Sequence, residues 1–281
     1  MKEVDLSGLR QESIQSKEIL VPKFGGATIS GPSGTGKTAV MEIISDLYSI
    51  SPDRRFKTGK IIRDITKTGN TIRGFMDRDE SVDQEIDEVQ RGIIRNADTK
   101  NPFILEGRLA GVLATEELTS NPELNIVRML FTAPSEIRMK RILKRALHDK
   151  AETVTSLEKE YEKALEQHAD PGAIEYLTKR LLDERSEVLT LDTIKQKEKE
   201  REIKDLKRWR KTHENLRGVS PFNPANKDNK GGHIYNLIVH TGHLSVEQVV
   251  NQVTEELINQ GLLEKRVEEE KFPKSAIIFQ A

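Results

Sequence analysis

The stretch Gly31-Pro32-Ser33-Gly34-Thr35-Gly36-Lys37-Thr38 decides the reading of this chain. It satisfies G-x-x-x-x-G-K-[ST] at every fixed position. The glycines let the backbone turn tightly, so that successive N–H groups face one anion. A helix expected from about Gly36 adds its free N–H groups and positive dipole end. Lys37 is placed to reach β and γ phosphates, and Thr38 to offer its hydroxyl to Mg²⁺. Gly31, Ser33, Gly34, Thr35, Gly36, Lys37 and Thr38 are therefore the expected ATP-phosphate cradle, with Thr38 the metal-facing residue. A guanine-reading Asn-Lys-x-Asp is not matched. In Asn226-Lys227-Asp228-Asn229 the Asp falls one place early, in a loop, and reads as a solvated turn.

Outward from the loop, the pattern alternates strand and helix. Gly26 to Ile29 reads as a strand, followed by a helix with Val40, Met41, Ile43, Ile44 and Leu47 on one face. Arg55 to Thr58 is a second short strand. Ser81 and Gln84 form a capping box for a helix carrying Ile86, Val89 and Ile93. Pro102 to Leu105 and Leu124 to Phe131 are further strands, and Pro134 suits the first turn of a helix. Tyr235 to Val239 is the last strand, with Ser245 and Gln248 capping the helix after it. Such alternation implies an α/β, three-layer P-loop fold: a parallel five-stranded sheet with helices on both faces.

Residues 146–216 are highly charged and strand-free. Val154, Leu157, Tyr161 and Leu165 recur at helical spacing, as do Ile174, Leu177 and Leu181, with Pro171-Gly172 between the two sets. Thr193 and Gln196 are the expected cap of a third helix, toward Trp209, which reads as a packing residue of a lid. The expected organisation is an N-terminal prelude over 1–24, a kinase core over 25–145, an inserted helical arm and lid over 146–233, and a last strand, helix and tail over 234–281. Within the insertion, 217–233 reads as a mobile loop.

The 281 residues hold 45 Lys and Arg against 46 Asp and Glu, a balance that argues against a dedicated nucleic-acid binder. Absence of Cys rules out disulfides and thiolate metal sites. No stretch resembles a signal peptide or a membrane span, so a cytoplasmic protein is expected. His233, His240 and His243 lie close together, but no acidic or Cys ligand accompanies them.

Four segments carry a family resemblance: the P-loop; Thr58-Gly59-Lys60-Ile61-Ile62-Arg63; Asp83 to Gln90 followed by Glu106-Gly107-Arg108-Leu109-Ala110-Gly111; and Arg201-Glu202-x-x-Asp205-x-x-Arg208-Trp209. In these the chain resembles the cytidylate kinases, most closely their archaeal type. The resemblance implies an ATP- and Mg²⁺-dependent transfer of phosphate to CMP or dCMP. It implies that Arg63 and Arg108 grip the acceptor phosphate, and that Arg201 and Arg208 descend from a lid onto the group in transfer. Thr58, Asp83, Asp87 and Asp205 complete the implied acceptor site, and Arg141 or Arg145 packs near the donor adenine. Glu106 is expected either to hold a Mg²⁺-bound water or to orient Arg108. Guanidinium forks suit this chemistry because they bind phosphate oxygens in pairs. Taken singly, each arginine reads as a surface ion pair. The insertion is longer than that family leads one to expect. A hairpin packed on itself, a self-association contact and a partner-binding arm over 146–200 all remain open. Two rival readings also stand: another P-loop small-molecule kinase, and an ATP-binding regulatory module.

Overall fold

A computed structural model of the protein describes residues 16–66, 80–213, 220–228 and 230–269. Residues 1–15, and also 217–219 and Asn229 of the expected loop, lie outside that set. Five short strands form the central sheet: β2 (Gly26–Ser30), β3 (Arg55–Lys57), β4 (Phe103–Glu106), β5 (Ile126–Thr132) and β6 (Leu237–His240). They are parallel, in the order β3-β4-β2-β5-β6. β2, the strand that feeds the P-loop, is central and fully buried. Successive side chains of a strand point to opposite faces. Val127, Met129 and Phe131 of β5 thus join one core, and Ile126 and Leu130 the other.

The first core is closed by α1 (Lys37–Leu47) and α8 (Val246–Asn259). The second is closed by α3 (Glu80–Arg95) and α4 (Ala110–Ser120), while α2 (Thr58–Thr66) follows β3. On α1, Val40, Met41 and Ile44 are buried, but Ile43 and Leu47, expected on that face, are exposed at 37% and 45%. The capping box at Ser245 and Gln248 is present in both directions. The one expected at Ser81 is not, because Glu80 before it is already helical.

Between β5 and β6 the chain builds the expected helical insertion. Its first helix is α5 (Ser135–Glu166), 32 residues without a break and so about 48 Å long. The boundary drawn after residue 145 therefore falls inside a helix. After a turn with His168 at positive φ, α6 (Pro171–Ser186) returns along α5, with Asp170 as N-cap. Leu157 and Leu181 are buried between the two, and Arg185 meets Glu158 at 2.6 Å. The third helix, α7 (Leu191–Thr212), is capped by Thr190 with Thr193 completing the box, three residues before the expected cap. Met139 and Ile142 of α5 pack on Ile194 of α7.

Two expectations are corrected. Residues 16–22, placed in the prelude, form β1 (Ser16–Pro22), antiparallel to β7 (Leu263–Glu269). This ribbon joins the two distant ends of the described chain, a pairing that no local pattern reveals. Residues 220–228, assigned to a mobile loop, are tied down: the Tyr235 hydroxyl donates to the Pro221 carbonyl at 2.7 Å, and Asn226 Nδ2 to the Ser220 carbonyl at 2.6 Å. Among the described residues, no helix is long and apolar enough to cross a membrane.

Gly26 is where the sheet has least tolerance, because a Cβ there would overlap the Phe103 ring. We expect Gly26→Ala to lower stability by about 1–3 kcal/mol, read as a shift in the urea unfolding midpoint. An unchanged midpoint would show that the ring can move aside.

Candidate active site

The P-loop leaves the end of β2 and enters α1. Gly34 and Gly36 have φ of 80° and 81°, in the left-handed region that glycine adopts without strain. Lys37 folds back over the loop: its Nζ donates to the carbonyls of Gly31 and Pro32, each at 2.9 Å, and lies 3.8 Å from Glu106. Burial pushes the Lys37 ammonium down to about 8; Glu106 opposes this, while Arg108, Arg201 and Arg145 reinforce it. The Thr38 hydroxyl donates to Glu106 Oε2 at 3.2 Å. Glu106, at the end of β4, thus engages the donor side through Thr38 and Lys37. A hydroxyl and a carboxylate side by side at a P-loop are hard oxygen donors, which fit a Mg²⁺ that keeps several of its waters. Thr35 is spent on the loop itself, its hydroxyl donating to the Pro32 carbonyl at 3.0 Å.

A cavity of about 810 Å³ opens beside this loop. Of the expected site residues, Ser33, Gly34, Gly36, Lys37, Thr38, Thr58, Arg63, Asp83, Asp87, Glu106, Arg108, Arg141, Arg201, Asp205 and Arg208 line it. Gly31 and Thr35 lie behind the loop surface, Gly31 supplying a carbonyl to Lys37. Eleven Lys and Arg side chains face the cavity against five Asp and Glu, an excess of six positive charges. Such an excess draws polyanions into a concave site.

The lid is α7. Its Asp205, 5% exposed, stands among three arginines. Arg108 Nη1 lies 2.8 Å away, Arg208 hydrogen-bonds the carboxylate, and Arg201 Nε is 3.8 Å away. Arg201 also donates to the Ser33 hydroxyl at 3.3 Å, which ties the lid to the P-loop.

Asp83 and Asp87 do not present a free face for a base. Asp83 meets Arg208 Nε at 3.1 Å, and Asp87 meets His213 Nε2 at 3.2 Å. Glu80 meets Lys211 at 3.5 Å. One face of α3 thus pairs with the end of the lid helix at three successive turns. Gln90 is occupied too: its oxygen accepts from the Thr58 hydroxyl at 2.8 Å, and its amide donates to the Ile86 carbonyl at 3.3 Å.

On the donor side, Arg141 donates to the carbonyls of Thr241 at 2.8 Å and Gly242 at 3.3 Å. Its Nη1 also reaches the Gly34 carbonyl at 3.4 Å. Arg145 lines the cavity.

Sequence reading missed His213. It is 1% exposed, with Nδ1 3.1 Å from Glu116 and Nε2 facing Asp87. Burial alone would lower its pKa, but the two carboxylates prevail and hold it at about 9. Glu116 is in turn paired with Arg91. A signal existed: Asp205, Trp209 and His213 recur at four-residue steps and share a helix face. The aromatic partner of Arg108, Phe222, had no such signal, because it lies in an irregular segment.

Residues 28–167 match a protein family described as an AAA domain. With the loop geometry above, this match supports a P-loop nucleotide-binding domain in that region. Among solved structures, an uncharacterized protein from Eubacterium ventriosum ATCC 27560 is similar at a TM-score of 0.42 and 15% identity, over 83% of this chain and 98% of that one. No curated protein matches the chain.

His213 gives a pH signature. Its folded pKa lies above the ordinary 6.5, so its stabilisation is complete below about 6.5 and lost as pH rises through about 9. We expect wild type to exceed His213→Asn by on the order of 3 kcal/mol near the lower limit, with the gap closing above the upper one. Thermal unfolding of both proteins across that range measures it. A gap independent of pH would mean that the ring is held neutral.

Proposed function

We propose that this protein is an ATP-dependent phosphotransferase acting on a nucleoside monophosphate, with CMP or dCMP the favoured acceptor. The observation that carries the reading is the convergence of Lys37, Arg63, Arg108, Arg201 and Arg208 on one cavity from the P-loop helix, α2, the end of β4 and the lid. A monophosphate acceptor carries about two negative charges and ATP about four. Their sum is close to the cation excess of the lining.

In this reading ATP lies with its phosphates along residues 31–38, and the acceptor lies toward α2 and α3. An acceptor phosphate oxygen is already anionic near neutral pH, so no side chain need remove a proton. Positioning and charge neutralisation do the work. Lys37 holds the terminal phosphates of the donor. Arg63 and Arg108 orient the acceptor, and Arg201 and Arg208 neutralise charge on the group in transfer. Thr38, with Glu106 acting through water, would hold the Mg²⁺ that accompanies ATP and adds charge neutralisation. Closure of α7 keeps water from intercepting the phosphoryl group. The preference for cytosine rests on the resemblance of residues 58–63 and 106–111 to cytidylate kinases, since Asp83, Asp87 and Gln90 are engaged by protein partners. Another small-molecule acceptor on the same scaffold is the nearest rival. A second reading, an ATP-binding module whose arm contacts a partner, draws on the exposed Leu147, Leu165, Tyr176 and Leu182 along α5 and α6.

Coupled ADP release over CMP, dCMP, AMP, UMP and shikimate separates these. Turnover with CMP or dCMP well above the others is the expected result. ATP binding without acceptor-dependent turnover would favour the regulatory module. Lys37→Ala and Arg63→Ala are each expected to cut kcat/KM by roughly a hundredfold or more while leaving the melting curve in place. Unchanged activity in Arg63→Ala would remove that residue from the acceptor site.

A further inference from the structure

Arg108 is a deeply enclosed guanidinium of the site. Its side chain is 13% exposed, its three nitrogens are sealed from solvent, and none makes a hydrogen bond to the described residues. Asp205 Oδ2, at 2.8 Å from Nη1, gives an ion contact without hydrogen-bond alignment. Burial draws the Arg108 pKa down to about 10, with Asp205 opposing. A buried cation left this way is costly unless something else compensates it.

Arg201, Glu198 and Glu202 also act on Arg108 through space, and two aromatic rings flank it directly. Arg108 Cζ lies 5.2 Å from the Trp209 ring centroid and 5.3 Å from that of Phe222. The two rings meet edge to face at 89°, with centroids 6.0 Å apart, so the guanidinium sits in a corner between them. Trp209 comes from α7 and Phe222 from the segment pinned through Ser220 and Pro221. An aromatic ring attracts a cation through its quadrupole. Unlike a carboxylate, it does not take up the fork of N–H donors that a phosphate needs.

We propose that Trp209 and Phe222 are positioning residues: their rings form a corner that holds Arg108 charged and oriented while keeping its N–H groups for a phosphate. This rests on the phosphotransferase reading for the identity of the anion as an acceptor. The corner itself requires only that phosphate bind at Arg108. On binding, the N–H donors take the phosphate oxygens and Asp205 gives up its ion contact. Phe222 was not among the residues expected in the site, and Trp209 was expected only to pack.

Trp209 is the single Trp of the chain, so its emission reads this corner directly. The test titrates the full-length protein with inorganic phosphate, and separately with CMP, following Trp209 emission and calorimetric heat. Phe222→Leu keeps an apolar side chain but removes the ring, whereas Phe222→Tyr keeps the ring. We expect Phe222→Leu to raise the half-saturating phosphate concentration by roughly three- to thirty-fold, and Phe222→Tyr to stay within about twofold of wild type. Both should retain the wild-type Tm to within a few degrees, and Arg108→Met should lose the phosphate response. A wild-type half-saturation in Phe222→Leu overturns the proposal. So does a Phe222→Tyr protein as weak as Phe222→Leu, or a wild-type protein that binds neither anion. If phosphate binds with this ring dependence but no acceptor supports ADP release, the corner stands and the kinase reading falls.

Discussion

The closed arrangement of the site depends on one carboxylate. Asp205 lies where Arg108, Arg201 and Arg208 would otherwise face one another at short range. Like charges in a sheltered site repel far more strongly than in water, because the effective dielectric is low. Asp83 adds a second carboxylate at Arg208 and Glu198 one at Arg201, so the positive excess belongs to the cavity lining as a whole and not to these three arginines alone. The lid helix that carries Asp205 also supplies two of the three arginines. Its docking therefore brings both the repulsion and its partial relief, and a bound phosphate would complete the compensation that Asp205 begins.

From this follows the division of labour around the cavity. The carboxylates of α3 bind the far end of α7, at Lys211, Arg208 and His213. They set the height of the lid and are not free to read a base. His213 is held from two sides, by Asp87 of α3 and Glu116 of α4, so the lid's end is clamped to elements of the second core. Glu106, by contrast, stays with the P-loop, at Thr38 and Lys37. Acidic groups thus hold α7 on one side and contact the P-loop on the other.

What the sequence made legible follows the range of the interactions concerned. The P-loop is encoded by eight consecutive residues, and β2, β4 and β5 by short apolar runs that are largely buried. Both are local signals, and both were read correctly. The antiparallel β1–β7 pair was missed because its register joins residues such as Ile19 and Arg266, which are too distant for any local period. The partners of the α3 face were not legible for a different reason. Acids at 83 and 87 look alike whether they await a ligand or a lid, and only tertiary placement supplies Arg208 and His213. Ile43 and Leu47 share the helical period of Val40 and Ile44 yet lie exposed, because the period gives direction around a helix but not the width of the covering surface. The cap at Thr190 shows a milder limit, since two Thr three residues apart offer equivalent hydroxyls.

The long first helix of the insertion has a mechanical consequence. At its start, Arg138 Nη1 reaches the Ser33 carbonyl and Arg141 Nη1 the Gly34 carbonyl, each at 3.4 Å, so α5 rests on the P-loop backbone. In the same turns Met139 and Ile142 pack on Ile194 at the base of the lid helix. Arg138 also meets Glu202 of α7 at 3.4 Å. Side chains one turn apart on a continuous helix cannot move independently by much. The P-loop backbone and the root of α7 are therefore joined through one continuous helix and not through a flexible linker. The same continuity runs on past Leu157 into the hairpin with α6. The arm is thereby an extension of the same helix that contacts the P-loop backbone.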